Sequence, residues 1–235
     1  MFKLLKNRGI RNLIFSVLIG VIFCVNGCGK ESEVESNVAY EIDKRETIVR
    51  NANGGKVAEI SFESPVFEDE KYAFITESLE AEKENYFNKY EEGFLESVYF
   101  WEESDYRDGY FPYYCTSKIQ SVFQKDNYVC VLTQQDWYVG GIMQCDLVGY
   151  NYSLETGKKI SLQEISGLDT DALLYKIQKG LIKQNLYYED TFIDSLLEYE
   201  NKEIPFYFDC KGVYAVFPEG SISYMSSGCI VVPIK

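Results

Sequence analysis

Apolar residues run almost unbroken from Leu13 to Val25, after a basic start of Lys3, Lys6, Arg8 and Arg11. That order is the layout of a secretory signal peptide. Thirteen residues are short for a transmembrane helix, which needs roughly 20. The next stretch, 29–55, is polar and has no sustained period, and Asn51-Ala-Asn-Gly-Gly55 reads as a turn cluster. It is expected to be a flexible tether, with at most a short strand around Glu46–Arg50. Val57, Ile60, Phe62 and Val66 then mark a strand or a broken pair, with Pro65 at an edge or bulge. From Glu70 to Trp101 the spacing changes. Tyr72, Ile75, Leu79, Tyr86, Tyr90, Phe94, Val98 and Trp101 step by three, four or seven, the apolar stripe of a helix. Gly93 costs about 1 kcal/mol against alanine inside a helix, so a kink or break is expected there.

After an aromatic stretch at 105–114, strands are expected over 113–124, 128–135 and 143–154. Lys125-Asp-Asn127 and Glu155-Thr-Gly-Lys158 read as turns, and such short connections imply antiparallel neighbours. Asp169 is placed to cap a helix running to about Asn185, with Leu173, Ile177 and Leu181 buried. Asp190 is similarly placed before a short helix. Strands follow at 205–209, 212–217 and 229–234, the first two turning at Cys210-Lys-Gly212. Strands and helices segregate along the chain. The expected class is therefore α+β, an antiparallel sheet packed against helices.

Val25-Asn-Gly-Cys28 ends the apolar run with a small residue before a cysteine. It resembles the lipobox of bacterial lipoproteins. The resemblance implies cleavage after residue 27, lipid on Cys28 (palmitate among its acyl chains) and a place on the outer face of a bacterial cell membrane. The organisation is then 1–27 signal peptide, 28–55 anchor and tether, and 56–235 folded, as one domain or as two subdomains, about 56–135 and 136–235. The whole chain is −14; four basic and no acidic residues in 1–27 leave −18 on the remainder. So acidic a domain is unsuited to nucleic acid, which needs a basic surface. It would steer a cationic partner instead.

The 235-residue chain has no histidine. Ser-His-Asp and Cys-His catalysis and His-ligated zinc are thereby excluded. Cys115, Cys130, Cys145, Cys210 and Cys229 are odd in number and lack the C-x-x-C spacing of a metal or redox site. Their pairing is open, and most are read as small buried residues. No metal and no cofactor is expected.

Several stretches occur together in a characteristic order. They are Tyr138-Val-Gly-Gly141, Gly149-Tyr-Asn-Tyr-Ser-Leu154, Glu155-Thr-Gly-Lys-Lys-Ile-Ser-Leu162, Phe206-Tyr-Phe-Asp209, Gly212-Val-Tyr-Ala-Val-Phe217 and Gly228-Cys-Ile-Val-Val-Pro-Ile234. Together they resemble the extracytoplasmic domain of RsiV-type anti-sigma factors, also found before PdaC-type deacetylase domains. Ile142-Met-Gln144 stand where that family usually has a small residue and a histidine. The resemblance implies the fold, and lysozyme as the kind of partner such domains receive. Sigma-factor regulation and deacetylation are not carried over. The twelve residues ahead of the apolar run are too few for a sigma-binding segment.

The expected function is a lipid-anchored, non-enzymatic binding module for an envelope component, such as a cell-wall glycan, or a basic secreted protein such as lysozyme. Candidate binding residues are Trp137, Tyr138, Gly140 and Gly141, then Trp101, Tyr106, Tyr110 and Phe111, all at the ends of elements where loops carry function. A non-catalytic scaffold lipoprotein is the alternative. A wall-sugar hydrolase would need two carboxylates about 5–10 Å apart, for which Glu102, Glu103, Asp105 and Asp108 are the material.

Overall fold

The computed structural model describes residues 36–50, 54–105, 113–139, 143–187, 203–222 and 228–235, with side chains left out over 95–105. The signal peptide, Cys28 and the helix expected after Asp190 lie outside them. So do the candidates Tyr106, Tyr110, Phe111, Gly140 and Gly141. Residues 34–235 form one compact unit, and a division at 135/136 would fall inside a strand.

Five strands make the first sheet: β1 (Glu41–Arg50), β2 (Lys56–Val66), β3 (Tyr113–Lys125), β4 (Tyr128–Tyr138) and β5 (Met143–Ser153), in that spatial order. The pairs β1–β2, β3–β4 and β4–β5 are antiparallel. β2 and β3 are parallel, with Ile60 opposite Cys115. Parallel neighbours need a crossover, and helix α1 (Ala73–Asp105) supplies it. The chain therefore contains one β-α-β unit within an otherwise antiparallel α+β arrangement. α1 runs unbroken for 33 residues through Gly93, so no break forms there. A single 3-10 turn, Glu70–Tyr72, leads in, capped by the Asp69 carboxylate accepting from the Lys71 N–H.

β1 takes up ten residues of what the polar pattern suggested was tether, and includes the short strand expected at Glu46–Arg50. It sits at the sheet edge, where only its ladder to β2 and one face need partners, so no apolar alternation marks it. Charges fasten it to α1 instead. Lys83, only 4% exposed, reaches Asp43 at 2.8 Å and Glu80 at 2.6 Å. The Arg45 guanidinium lies 4.0 Å from the centre of the Phe87 ring and 2.5 Å from Glu84.

The two faces of the sheet serve two cores. Ala58, Ile60, Phe62, Cys115, Val122, Val129 and Val131 pack against Ile75, Leu79, Tyr86, Phe87 and Phe94 of α1. An irregularity between Ile119 and Ser121 shifts the parity of β3, which lets odd-numbered Cys115 and even-numbered Val122 share that face. Phe123, Cys130 and Leu132 point the other way.

That second face meets a three-stranded antiparallel sheet of β6 (Phe206–Phe208), β7 (Val213–Phe217) and β8 (Ile230–Pro233). Helices α2 (Leu162–Ser166) and α3 (Thr170–Lys183) share the same core. Asp169 caps α3 by accepting from the Ala172 N–H at 2.8 Å, and Leu173, Ile177 and Leu181 are buried as expected. The stretch after the 155–158 turn is not a strand: Ser161 and Glu164 form a capping box that starts α2.

The two layers come into close contact at Gly149 of β5. A Cβ there would lie 2.0 Å from the Phe206 carbonyl oxygen, so backbone meets backbone. Asn151 donates to that same carbonyl at 2.7 Å.

Candidate functional site

The helix α1 outruns the part of the sheet that it seals. Beyond the core formed by Phe62, Leu79 and Phe87, it stands over the far ends of β4 and β5. A cleft of about 340 Å³ lies there. Tyr86, Lys89, Tyr90, Gly93 and Phe94 line the helix side, spaced three or four apart, so that they share one face. Cys115, Gln135, Asp136, Trp137, Val139, Gln144 and Asp146 line the sheet side. Trp137 opposes Gln144 and Gln135 opposes Asp146 across β4–β5, with Trp137 opposite Cys115 on β3. These side chains belong to the α1-facing surface.

The inner end is apolar and tightly closed. The Tyr86 hydroxyl and the Cys115 sulfur are 3.1 Å apart, and Tyr86 packs on Phe62 and Tyr90 with ring centres 5.3 and 4.9 Å away. Burial, reinforced by Cys115, drives the Tyr86 phenol well above its ordinary range. Burial also pushes the Cys115 thiol up to about 11, against which the Tyr86 hydrogen bond acts. Both groups are neutral at physiological pH, so this end offers shape and not charge.

The outer part is polar. The Lys89 ammonium lies 4.7 Å from the Tyr90 ring centre. Asp146 accepts from the Glu219 N–H at 3.0 Å, whereas Asp136, alternating with Gln135 and Trp137 on β4, turns its carboxylate to the Gln134 amide at 2.9 Å on the opposite face. Gln135 donates weakly to the Tyr150 hydroxyl at 3.5 Å. The Gln144 amide and the Trp137 indole N–H make no hydrogen bond among the described residues.

Trp137 and Tyr138 do not act together. As consecutive strand residues they point to opposite faces. Trp137 lines the cleft, whereas Tyr138 stacks beside Tyr113 and Tyr114 with ring centres 6.2 and 5.7 Å away. Trp101, Glu102, Glu103 and Asp105 fall in the last turns of α1, with only their backbone described. Asp108 lies outside the described residues. Helical spacing marks Tyr86, Tyr90 and Phe94 as core, where Tyr86 and Phe94 are indeed buried, but does not show that they also line a cleft. Gly93 was the signal, as an unfavourable residue inside a helix.

Among the described residues, no group of three or more His, Cys, Asp or Glu side chains is placed to hold a metal ion. No described helix is long and apolar enough to cross a membrane.

No family model matches the sequence, and no curated protein matches it. Solved structures do. A DUF3298 family protein from Pseudomonas aeruginosa PAO1 is similar over 85% of this chain and 91% of its own, at 18% identity and a TM-score of 0.50. A DUF3298 family member from Bacteroides fragilis NCTC 9343 is similar over 85% of this chain and 92% of its own, at 15% identity and a TM-score of 0.41. The likeness to the Pseudomonas protein shows that this chain has the same fold.

Proposed function

We propose that the chain is an extracytoplasmic binding module, held at the membrane by lipid on Cys28, that receives an envelope component or a secreted protein such as lysozyme in the cleft between α1 and the ends of β4 and β5. The observation that carries this reading is the cleft itself. Rings of Tyr86, Tyr90, Phe94 and Trp137 stand beside the amides of Gln135 and Gln144 and the carboxylate of Asp146. Small-ligand sites and interface hot spots combine apolar walls with a few convergent polar groups in this way. The basic start, apolar run and lipobox-like Val25-Asn-Gly-Cys28 support the location. The resemblance to RsiV-type domains supports a protein ligand, and the net charge of −14 favours a basic one.

The test is calorimetric titration of Gly29–Lys235, which keeps the compact unit 34–235 whole, with lysozyme at low and physiological salt. Saturable one-to-one binding that survives salt and is weakened by Trp137→Ala supports the reading. Heat that vanishes with salt and ignores Trp137→Ala means only that an acidic protein met a basic one.

A further inference from the structure

Gly93 is the starting point. A glycine inside a helix is unfavourable by about 1 kcal/mol against alanine, so its presence calls for a local reason. Crowding is not one, because a Cβ built at Gly93 would meet nothing within 4 Å. Nor does a positive φ or a break require it, because α1 passes straight through. Gly180 shows the contrast: a Cβ there would lie 2.3 Å from Val232, so close packing accounts for it. What distinguishes Gly93 is that it lines the cleft. Its missing side chain widens the opening between Tyr90 and Phe94 on one side and Trp137 on the other.

The chemistry of the walls narrows what can fill that space. An anion would meet the Asp146 carboxylate on a chain of net charge −14, with Lys89 the one ammonium among the lining residues. A small cation would find that ammonium already over the Tyr90 ring, 4.7 Å from its centre, where a bound cation would itself sit. A purely apolar ligand would desolvate Gln135, Gln144 and the Trp137 N–H without replacing their hydrogen bonds, at a cost for each. A neutral ring with one apolar face and hydroxyl or amide groups around its edge meets all three conditions. It stacks on an aromatic and exchanges hydrogen bonds with the Gln135 and Gln144 amides and the Asp146 carboxylate. The cleft of about 340 Å³ has room for such a ring.

Resting on the reading that this domain binds through its cleft, we propose that the ligand class is a neutral sugar ring of a glycan, such as an N-acetylated amino sugar, seated between Trp137 and the Tyr90–Phe94 face of α1, with Gly93 leaving the space open. Binding at this site involves no covalent step.

The test titrates Gly29–Lys235 with N-acetylglucosamine tetrasaccharide, following tryptophan fluorescence and heat. Free N-acetylglucosamine, glucosamine and glucuronate are compared with one another at equal concentration. Saturable tetrasaccharide binding in the range of about 0.1–1 mM is expected, with the neutral monosaccharide bound better than the cationic or the anionic one. Gly93→Leu should weaken tetrasaccharide binding at least tenfold while leaving the melting temperature unchanged or raised, which separates a filled site from a damaged fold. Equal or better binding of glucosamine or glucuronate overturns the proposal, as does unaltered binding by Gly93→Leu. If lysozyme binds the wild-type chain and no sugar does, the sugar assignment falls and the binding-module reading stands. If neither binds, both fall.

Discussion

Gly149→Ala probes the joint between the two layers. One methyl group is added where the Phe206 carbonyl oxygen would be 2.0 Å away, its carbon 2.9 Å away and the Tyr207 Cβ 3.0 Å away. These are mostly backbone atoms, so no rotamer change relieves the contact. β6 must lift from β5 by more than 1 Å on the order of van der Waals contact. Overpacking of this kind costs about 1–3 kcal/mol. Lifting β6 also stretches the 2.7 Å bond from Asn151 to Phe206, a net loss of about 1 kcal/mol. Replacing a strand glycine returns roughly 0.5–1 kcal/mol. The balance is a destabilisation of about 1–3.5 kcal/mol, which lowers the melting temperature of a domain this size by about 2–14 °C. Thermal unfolding followed by near-UV circular dichroism, with urea titration alongside, reads it directly. A shift smaller than about 2 °C would refute the claim that backbone contact at Gly149 joins the sheets.

The same substitution at Gly93 has the opposite sign: with open space around its Cβ, Gly93→Ala should stabilise the fold by about 0.5–1 kcal/mol, and a lowered melting temperature would contradict this. Thiol labelling at pH 8 should find one fast cysteine, the exposed Cys210, and lose it in Cys210→Ser. Burial holds Cys130 and Cys145 up to about 12 and Cys115 and Cys229 up to about 11, so a second fast thiol would contradict the packing around them. Burial of Glu59 acts to raise its pKa, but Lys56 and Lys44 outweigh it and hold the carboxyl at about 2, below the ordinary 4.5. A lowered folded-state pKa stabilises above the unfolded value and is lost as pH falls from about 5 toward 2. Because both lysines reach solvent, the contribution is at most about 1 kcal/mol. The stability gap between wild type and Glu59→Gln should close on acidification, and a gap independent of pH would count against the ion pairs.

What the sequence revealed and what it hid divide along physical lines. α1, α3 and the hairpin β3–β4 were legible because their apolar periods are long, and because Asp169 and Asp126-Asn127 are local signals for a cap and a turn. β1 was legible only as a short strand around Glu46–Arg50, since an edge strand pinned by Lys83 and Arg45 carries charge where a central strand carries an apolar alternation. The parallel pairing of β2 with β3 was hidden too. Nothing local distinguishes a strand that pairs after a hairpin from one that pairs across a 33-residue helix. α2 was readable in principle from Ser161 and Glu164, whose spacing is that of a capping box. Trp137, a candidate from its place at a strand end, lines the cleft. Tyr86, Tyr90 and Phe94 read as core, and Tyr86 and Phe94 are buried there; that they also line a cleft is hidden, because the helical stripe does not show where the sheet beneath it stops.

Hydrogen exchange of Gly29–Lys235 with and without saturating N-acetylglucosamine tetrasaccharide, and again with lysozyme, tests the central claim that the cleft is the binding site. The account predicts added protection in peptides spanning 86–94 and 135–146, with α3 over 170–183 unchanged. Bound ligand that protects α3 or the β6–β8 sheet, and leaves 86–94 and 135–146 untouched, would contradict it.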